Sequence, residues 1–283
     1  MEWRGGRRGG NIEDRRGMGP GAAVGGVGVV GLVAAAIGYF VFGISPEQTL
    51  SAIEQGGPVS QQEGQRGTPQ DEAGQFVDVI ETSTTEVWTA IYAASGKRYQ
   101  PPASAVLYEQ ATGTGCGTGQ SAMGPFYCPA DQKVYLDLSF WNELETKFGA
   151  SGEFARAYVI AHEVGHHVQN LEGAMQQAQR QGMRGEDSGA VRLELQADCY
   201  AGVWAARAGT QAGGGLRFNA QDITDGLGAA SAVGDDTIQQ KTQGRVVPDA
   251  FTHGTAAQRM RWFRAGYEAG DPAACNTFSA RSL

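Results

Sequence analysis

Ala161-His162-Glu163-Val164-Gly165-His166-His167-Val168 is the stretch on which the reading of this chain turns. Around it Phe154, Ala157, Ala161, Val164, Val168 and Leu171 recur at three- and four-residue steps, which predicts a helix from about 151 to 170 with one buried stripe. Ser151 is the expected N-cap, and Glu153 suits the positive end of the first turn. His162 and His166 fall beside that stripe. Residues four apart share a helix face, so the two imidazoles can grip one Zn²⁺. Glu163 is turned about 100° further round, where its carboxylate can reach a water on the metal rather than the metal itself. Two neutral nitrogen ligands, an open coordination position and an adjacent base form the arrangement that metal-assisted hydrolysis needs.

Such a site needs a third protein ligand. Val191-Arg-Leu-Glu-Leu-Gln-Ala-Asp-Cys199 offers Glu194 and Asp198, again on one helix face. Two carboxylates among Leu193, Leu195 and Ala197 are costly to bury without a metal or hydrogen bonds. Glu194 is therefore the expected ligand, and Asp198 the acceptor that fixes a ligand histidine's tautomer. Glu172, Glu186 and Asp187 are alternative ligands without a partner at helical spacing, and His167 faces away from His166 as a structural residue.

The wider chain reads as several zones. Residues 1–18 form a Gly/Arg-rich tail with five arginines against three carboxylates. Residues 19–43 carry no charge and are long enough to cross a hydrocarbon core of roughly 30 Å as one helix. Arginines before this run and acidic residues after it predict a cytoplasmic N-terminus and an extracytoplasmic catalytic domain. Residues 44–75, rich in Gln, Gly, Ser and Pro, read as a flexible tether. A globular domain of residues 76–283 follows. Helices are expected over 76–95, 138–148, 188–208, 220–233 and 255–269, the last three closed by left-handed glycines. Short strands are expected at 104–110 and 133–138, and a loop through the Gly-rich run 116–123. With a net charge of -8 and no basic cluster, nucleic acid is excluded as a partner.

The four cysteines suit an oxidising compartment. They allow three pairings, of which Cys116–Cys128 with Cys199–Cys275 closes the shortest loop. No Cys-x-x-Cys spacing supports a thiolate zinc site. Asp235, Asp236 and Asp249 lack calcium-loop spacing and read as solvated helix-end carboxylates.

HEVGH followed by E-x-x-x-D resembles the glutamate-type zincins, among them thermolysin and the CAAX prenyl proteases. More closely, the chain resembles the bacterial neutral zinc metallopeptidase family of membrane-anchored proteins. The resemblance lies in MGPFYCPADQKVYLDLSF, AYVIAHEVGHHVQN, ELQADCYAGVW and GRVVPDAFTHGTAAQR, with W-R-G-x-R and N-x-E-D-R-R near the start. It implies His162, His166 and Glu194 as zinc ligands and Glu163 as catalytic base. His253 and Arg259 are similar to the H-x-x-x-x-x-R element of the prenyl-protease relatives, with Gly254 where Pro is usual. They are candidate donors to a developing oxyanion; the other reading is a capping histidine and a surface arginine.

The expectation is thus an α+β, mostly helical zincin-like domain behind one transmembrane helix, acting as a zinc endopeptidase on peptide or protein. The strand at 133–138 is the candidate edge for pairing with an extended substrate. Two other classes stay open: a catalytically silent zinc-stabilised module that binds an envelope partner, and a zinc amidase acting on envelope polymers.

Overall fold

The computed structural model describes residues 1–18, 63–147, 149–150, 152–210 and 215–283. The uncharged run 19–43, most of the expected tether, and Ser151 lie outside the described residues. The described chain is α+β and divides into two units: a sheet unit of residues 10–78 and 102–142, and a helical unit of residues 1–9, 79–101 and 143–283.

The sheet unit holds β1 (Ile12–Asp14), β2 (Gln65–Arg66), β3 (Ser104–Tyr108), β6 (Phe126–Cys128) and β7 (Lys133–Asp137) in the order β2-β1-β3-β7-β6. β1 and β7 flank β3 in parallel, while β2 and β6 are antiparallel outer strands. All five residues of β3 are buried, as an interior strand in a parallel environment requires. The strand expected to be a free edge, β7, is instead paired on both sides, because β6 returns antiparallel beside it. The expected Gly-rich loop is also a strand pair, β4 (Ala111–Thr114) with β5 (Gly117–Gln120). Its turn passes through Gly117 at φ 112°, a conformation open to glycine and few others. The Cys116–Cys128 disulfide is formed.

Residues 1–18 are not a tail outside the domain, and the described part of the tether is not loose. Ile12 is buried in β1, and Asp14 opposes Gln65 in β2. Glu13 has no exposed surface. Burial pushes its carboxyl up, but Lys133 at 2.8 Å and Arg15 at 2.7 Å more than reverse that and hold it down at about 2. Arg16 pairs with Asp14 and Asp71. Composition alone reads such Gly/Arg sequence as solvated. The fold overrides this because Arg4, Arg7, Arg15 and Arg16 each meet a specific carboxylate.

α1 (Glu72–Ala94) gives residues 72–78 to the sheet unit and 79–94 to the helical unit, and α2 (Phe140–Thr146) is similarly divided. The helical unit is built on α3 (Glu153–Glu172), α4 (Ala174–Arg180), α5 (Gly189–Ala208), α6 (Ala220–Ala232), α7 (Asp235–Gln243) and α8 (Ala256–Ala269). Capping accounts for several starts. Ser188 accepts from Val191 N–H, and Asn219–Asp222 and Thr255–Gln258 form capping boxes, the reciprocal arrangement that satisfies two free N–H groups. At the helix ends only one of the three expected left-handed glycines is found. Gly270 closes α8 at φ 58°, whereas Gly209 stays right-handed and Gly234 lies beyond Val233, the residue that closes α6.

α5 and α8 cross with their backbones nearly touching. A Cβ on Gly202 would lie 2.0 Å from the Phe263 carbonyl oxygen, and one on Gly266 1.9 Å from that of Cys199. The Cys199–Cys275 disulfide and the Arg192 bonds to the Thr277 and Ala280 carbonyls hold the C-terminal segment on α5. Gly266→Ala is therefore expected to cost about 3 kcal/mol or more, at the upper end for overpacking. The urea midpoint reads this, and an unchanged midpoint would contradict the close crossing. Among the described residues no helix is long and apolar enough to cross a membrane.

Candidate metal centre

Every side chain of the centre belongs to the helical unit. α3 carries His162, Glu163 and His166, and α5 carries Glu194 and Asp198. The helices approach at Gly165, where an added Cβ would sit 3.2 Å from the Ala197 carbonyl oxygen. Any side chain there would push α5, and Glu194 with it, away from the histidines.

His162 Nε2 lies 3.1 Å from Glu194 Oε2, and His166 Nε2 lies 3.4 Å from Glu194 Oε1. One ligand atom from each of these three residues lies within 4.8 Å of the other two. The remaining ring nitrogens are engaged behind the site. His162 Nδ1 is 2.9 Å from Asp198 Oδ1, and His166 Nδ1 is 2.8 Å from Gln169 Oε1. If each Nδ1 carries the proton, each Nε2 offers a lone pair toward Glu194. That is the donor set of a two-histidine, one-carboxylate zinc site, so the residues fit the metal.

The electrostatics treat the two histidines differently. Burial disfavours a charged His162, yet the bonds to Asp198 and Glu194 outweigh it and raise the ring to about 10. Without a metal the ring therefore favours its protonated form, and a metal bound at Nε2 would displace that proton. Burial holds His166 below its usual value, keeping it neutral as ligation requires. Burial would raise Glu194, but the three histidines His166, His162 and His253 keep it well below the ordinary carboxylate range. Glu163 is buried one position past His162.

Asp198 has no exposed surface and is the hub behind the metal ligands. Its Oδ2 accepts from Arg259 Nε at 2.8 Å, and its Oδ1 accepts from Arg259 Nη2 at 2.8 Å, from Tyr158 and from His162. Arg259 also donates to the Val233 carbonyl at 3.2 Å. The guanidinium of Arg259, a candidate oxyanion donor by sequence, bonds here to Asp198, Tyr158 and the Val233 carbonyl. It is not a surface residue, being 3 % exposed.

His253 has a different set of hydrogen-bond partners. Its Nδ1 lies 2.8 Å from Thr252 Oγ1 and 3.3 Å from Asp235 Oδ1, and it is close enough to Glu194 for their charges to interact. Burial works against a protonated His253, but Asp235 outweighs it and raises the ring. Asp235, expected as a solvated helix-end carboxylate, is buried. Its Oδ2 takes the backbone N–H groups of Thr252, His253 and Gly254 at 2.7, 2.6 and 3.0 Å. Tertiary folding brings that loop onto the start of α7, and no local signal announces it.

Tyr158 and Gln169 were also missed. Both were legible, lying four residues before His162 and three after His166 on the histidine face. The alternative ligands are excluded or unplaced: Glu172 accepts from Tyr92 and Tyr200, and among the described residues neither Glu186 nor Asp187 joins the candidate metal group. His167 is fully buried against the Gln100 carbonyl at 2.7 Å.

Comparison with known proteins points to zinc as the metal. A family model described as "putative neutral zinc metallopeptidase" matches residues 1–278, and the cofactor it implies is Zn²⁺. Uncharacterized protein YpfJ of Escherichia coli (strain K12) is 46 % identical over 294 residues, covering 98 % of this chain and 99 % of that protein. An uncharacterized protein of Mycobacterium tuberculosis is 54 % identical over 184 residues, 62 % of each chain. No solved structure matches. With its N-terminal strand, both histidines and Glu194 inside the matched span, the chain belongs to the neutral zinc metallopeptidase family.

Proposed function

We propose that the protein is a zinc-dependent endopeptidase working at a membrane, with Glu163 as its general base. The observation that carries the reading is the convergence of His162 Nε2, His166 Nε2 and the Glu194 carboxylate within 4.8 Å. Bound there, zinc supplies Lewis acidity toward the scissile carbonyl and makes the attacking water more acidic. Glu163 takes the proton from that water and passes it to the departing amine nitrogen. Asp198 accepts the Nδ1 proton of His162, which leaves Nε2 free to ligate, and Arg259 keeps Asp198 ionised. His253, tied through Nδ1 to Asp235 and Thr252, presents its other nitrogen to the oxygen that gains charge.

The test is side-by-side hydrolysis of unfolded casein and of cell-wall fragments by the purified protein. Casein cleavage that a chelator abolishes and zinc restores is expected. Hydrolysis of the wall fragments alone would favour the amidase, and stoichiometric zinc without hydrolysis the silent module. Glu194→Ala is expected to lose the metal, as read by elemental analysis, and retained zinc would send the search for a third ligand to Asp198.

His253→Ala is expected to keep its zinc and lower kcat by about a hundredfold with little change in KM, the pattern of a donor acting in the transition state. Asp235→Asn should lower kcat in the same direction. Added to His253→Ala it should have no further effect, because it acts through that ring. A near wild-type kcat in His253→Ala would leave the residue as a loop contact only.

A further inference from the structure

The start of the chain is built into both units. In the helical unit, Trp3 Nε1 donates to Glu153 at 2.8 Å, Glu2 and Arg217 exchange backbone hydrogen bonds at 3.0 Å, and Gly9 N–H donates to Thr82. In the sheet unit, Ile12, Glu13 and Asp14 pair with Ala105, Val106 and Leu107, and Arg15 donates to Thr112 and the Gly113 carbonyl. Paired strands lie about 4.8 Å apart, whereas a hydrocarbon core is about 30 Å thick. A strand cannot pair with another across a bilayer.

We propose that residues 1–18 stand on the same, disulfide-forming side of the membrane as the metal site, so that the uncharged run 19–43 does not act as a single-pass crossing. The inference rests on the membrane placement proposed above. Two ends on one side demand an even number of crossings. The 25 residues from 19 to 43 are too few for two, since each needs about 20.

Two further observations agree. Each unit contains one disulfide, Cys116–Cys128 in the sheet unit and Cys199–Cys275 in the helical unit, which places both in an oxidising compartment. The arginines that would hold the N-terminus in the cytoplasm have partners in the fold: Arg7 pairs with Glu86, Arg15 with Glu13, and Arg16 with Asp14 and Asp71. Their charge is spent on intramolecular pairs rather than left free to orient the chain.

Thiol labelling tests this directly, because among the described residues no cysteine is free. Arg8→Cys and Arg281→Cys, both at exposed positions, are introduced separately into the full chain. Each is treated in intact spheroplasts with a membrane-impermeant maleimide, and wild-type zinc content confirms that each variant is folded. Both thiols are expected to react without permeabilisation. A thiol at either position that reacts only after the membrane is opened overturns the proposal. Sedimentation of the wild type reads the other premise separately: a protein absent from the membrane fraction removes the membrane placement, not the shared side.

Discussion

Glu163→Gln is expected to bind zinc at wild-type stoichiometry and to lose activity by about a hundredfold to ten-thousandfold, the range of a positioned general base. The substitution keeps the shape of the side chain on α3 and removes its ability to take a proton. The three ligand side chains are untouched, so elemental analysis should find one zinc per chain in both proteins. The loss should fall on kcat, since the base acts on water in the transition state and adds little to substrate affinity. A Glu163→Gln variant with wild-type turnover would sink the proposed mechanism. A variant without zinc would show that Glu163 serves the metal rather than the water.

The second large effect is expected from Asp198→Ala. Asp198 carries the charge opposite Arg259, and both are almost wholly buried. Removing the carboxylate leaves a guanidinium in the interior with only Tyr158 and the Val233 carbonyl as partners. Breaking a buried pair from one side typically costs about 3–5 kcal/mol. The same change frees His162 Nδ1, so zinc affinity should fall by about tenfold to a hundredfold. Urea unfolding of the metal-free protein reads the first effect, and competition with a chelator reads the second. Asp198→Asn separates them: it retains hydrogen-bonding oxygen for the ring and for Tyr158 but loses the charge, so stability should suffer more than tautomer control. If Asp198→Ala unfolds at the wild-type midpoint, the Arg259 pair does not exist in solution.

What sequence makes legible here is whatever depends on local periodicity. His162, Glu163 and His166 lie within one turn and a half of one helix, so the 3.6-residue repeat alone places both imidazoles together. Glu194 and Asp198 are similarly bound to each other by α5. The apolar stripes give the main helices to within a few residues, and the runs SAVLY and KVYLD give two strands. The partnerships of the four cysteines also follow the shortest-loop reasoning.

Everything that joins distant segments had to wait for the fold. Composition marks residues 1–18 as a solvated tail. The strand Ile12–Asp14 is only three residues long, and its pairing with Ser104–Tyr108 depends on chain ninety residues away. Asp235 looks like an ordinary helix-start carboxylate until the loop 252–254 settles on it. Arg259 has a donor's chemistry, but its target is set by the α5–α8 crossing, which two glycines allow. By itself the sequence determined which side chains could share a metal, because ligands on one helix face need only a helix. Which carboxylate each cation serves, and which strand the first residues join, were decided by tertiary structure, because charge pairing and strand pairing act between residues that only folding brings within a few ångströms.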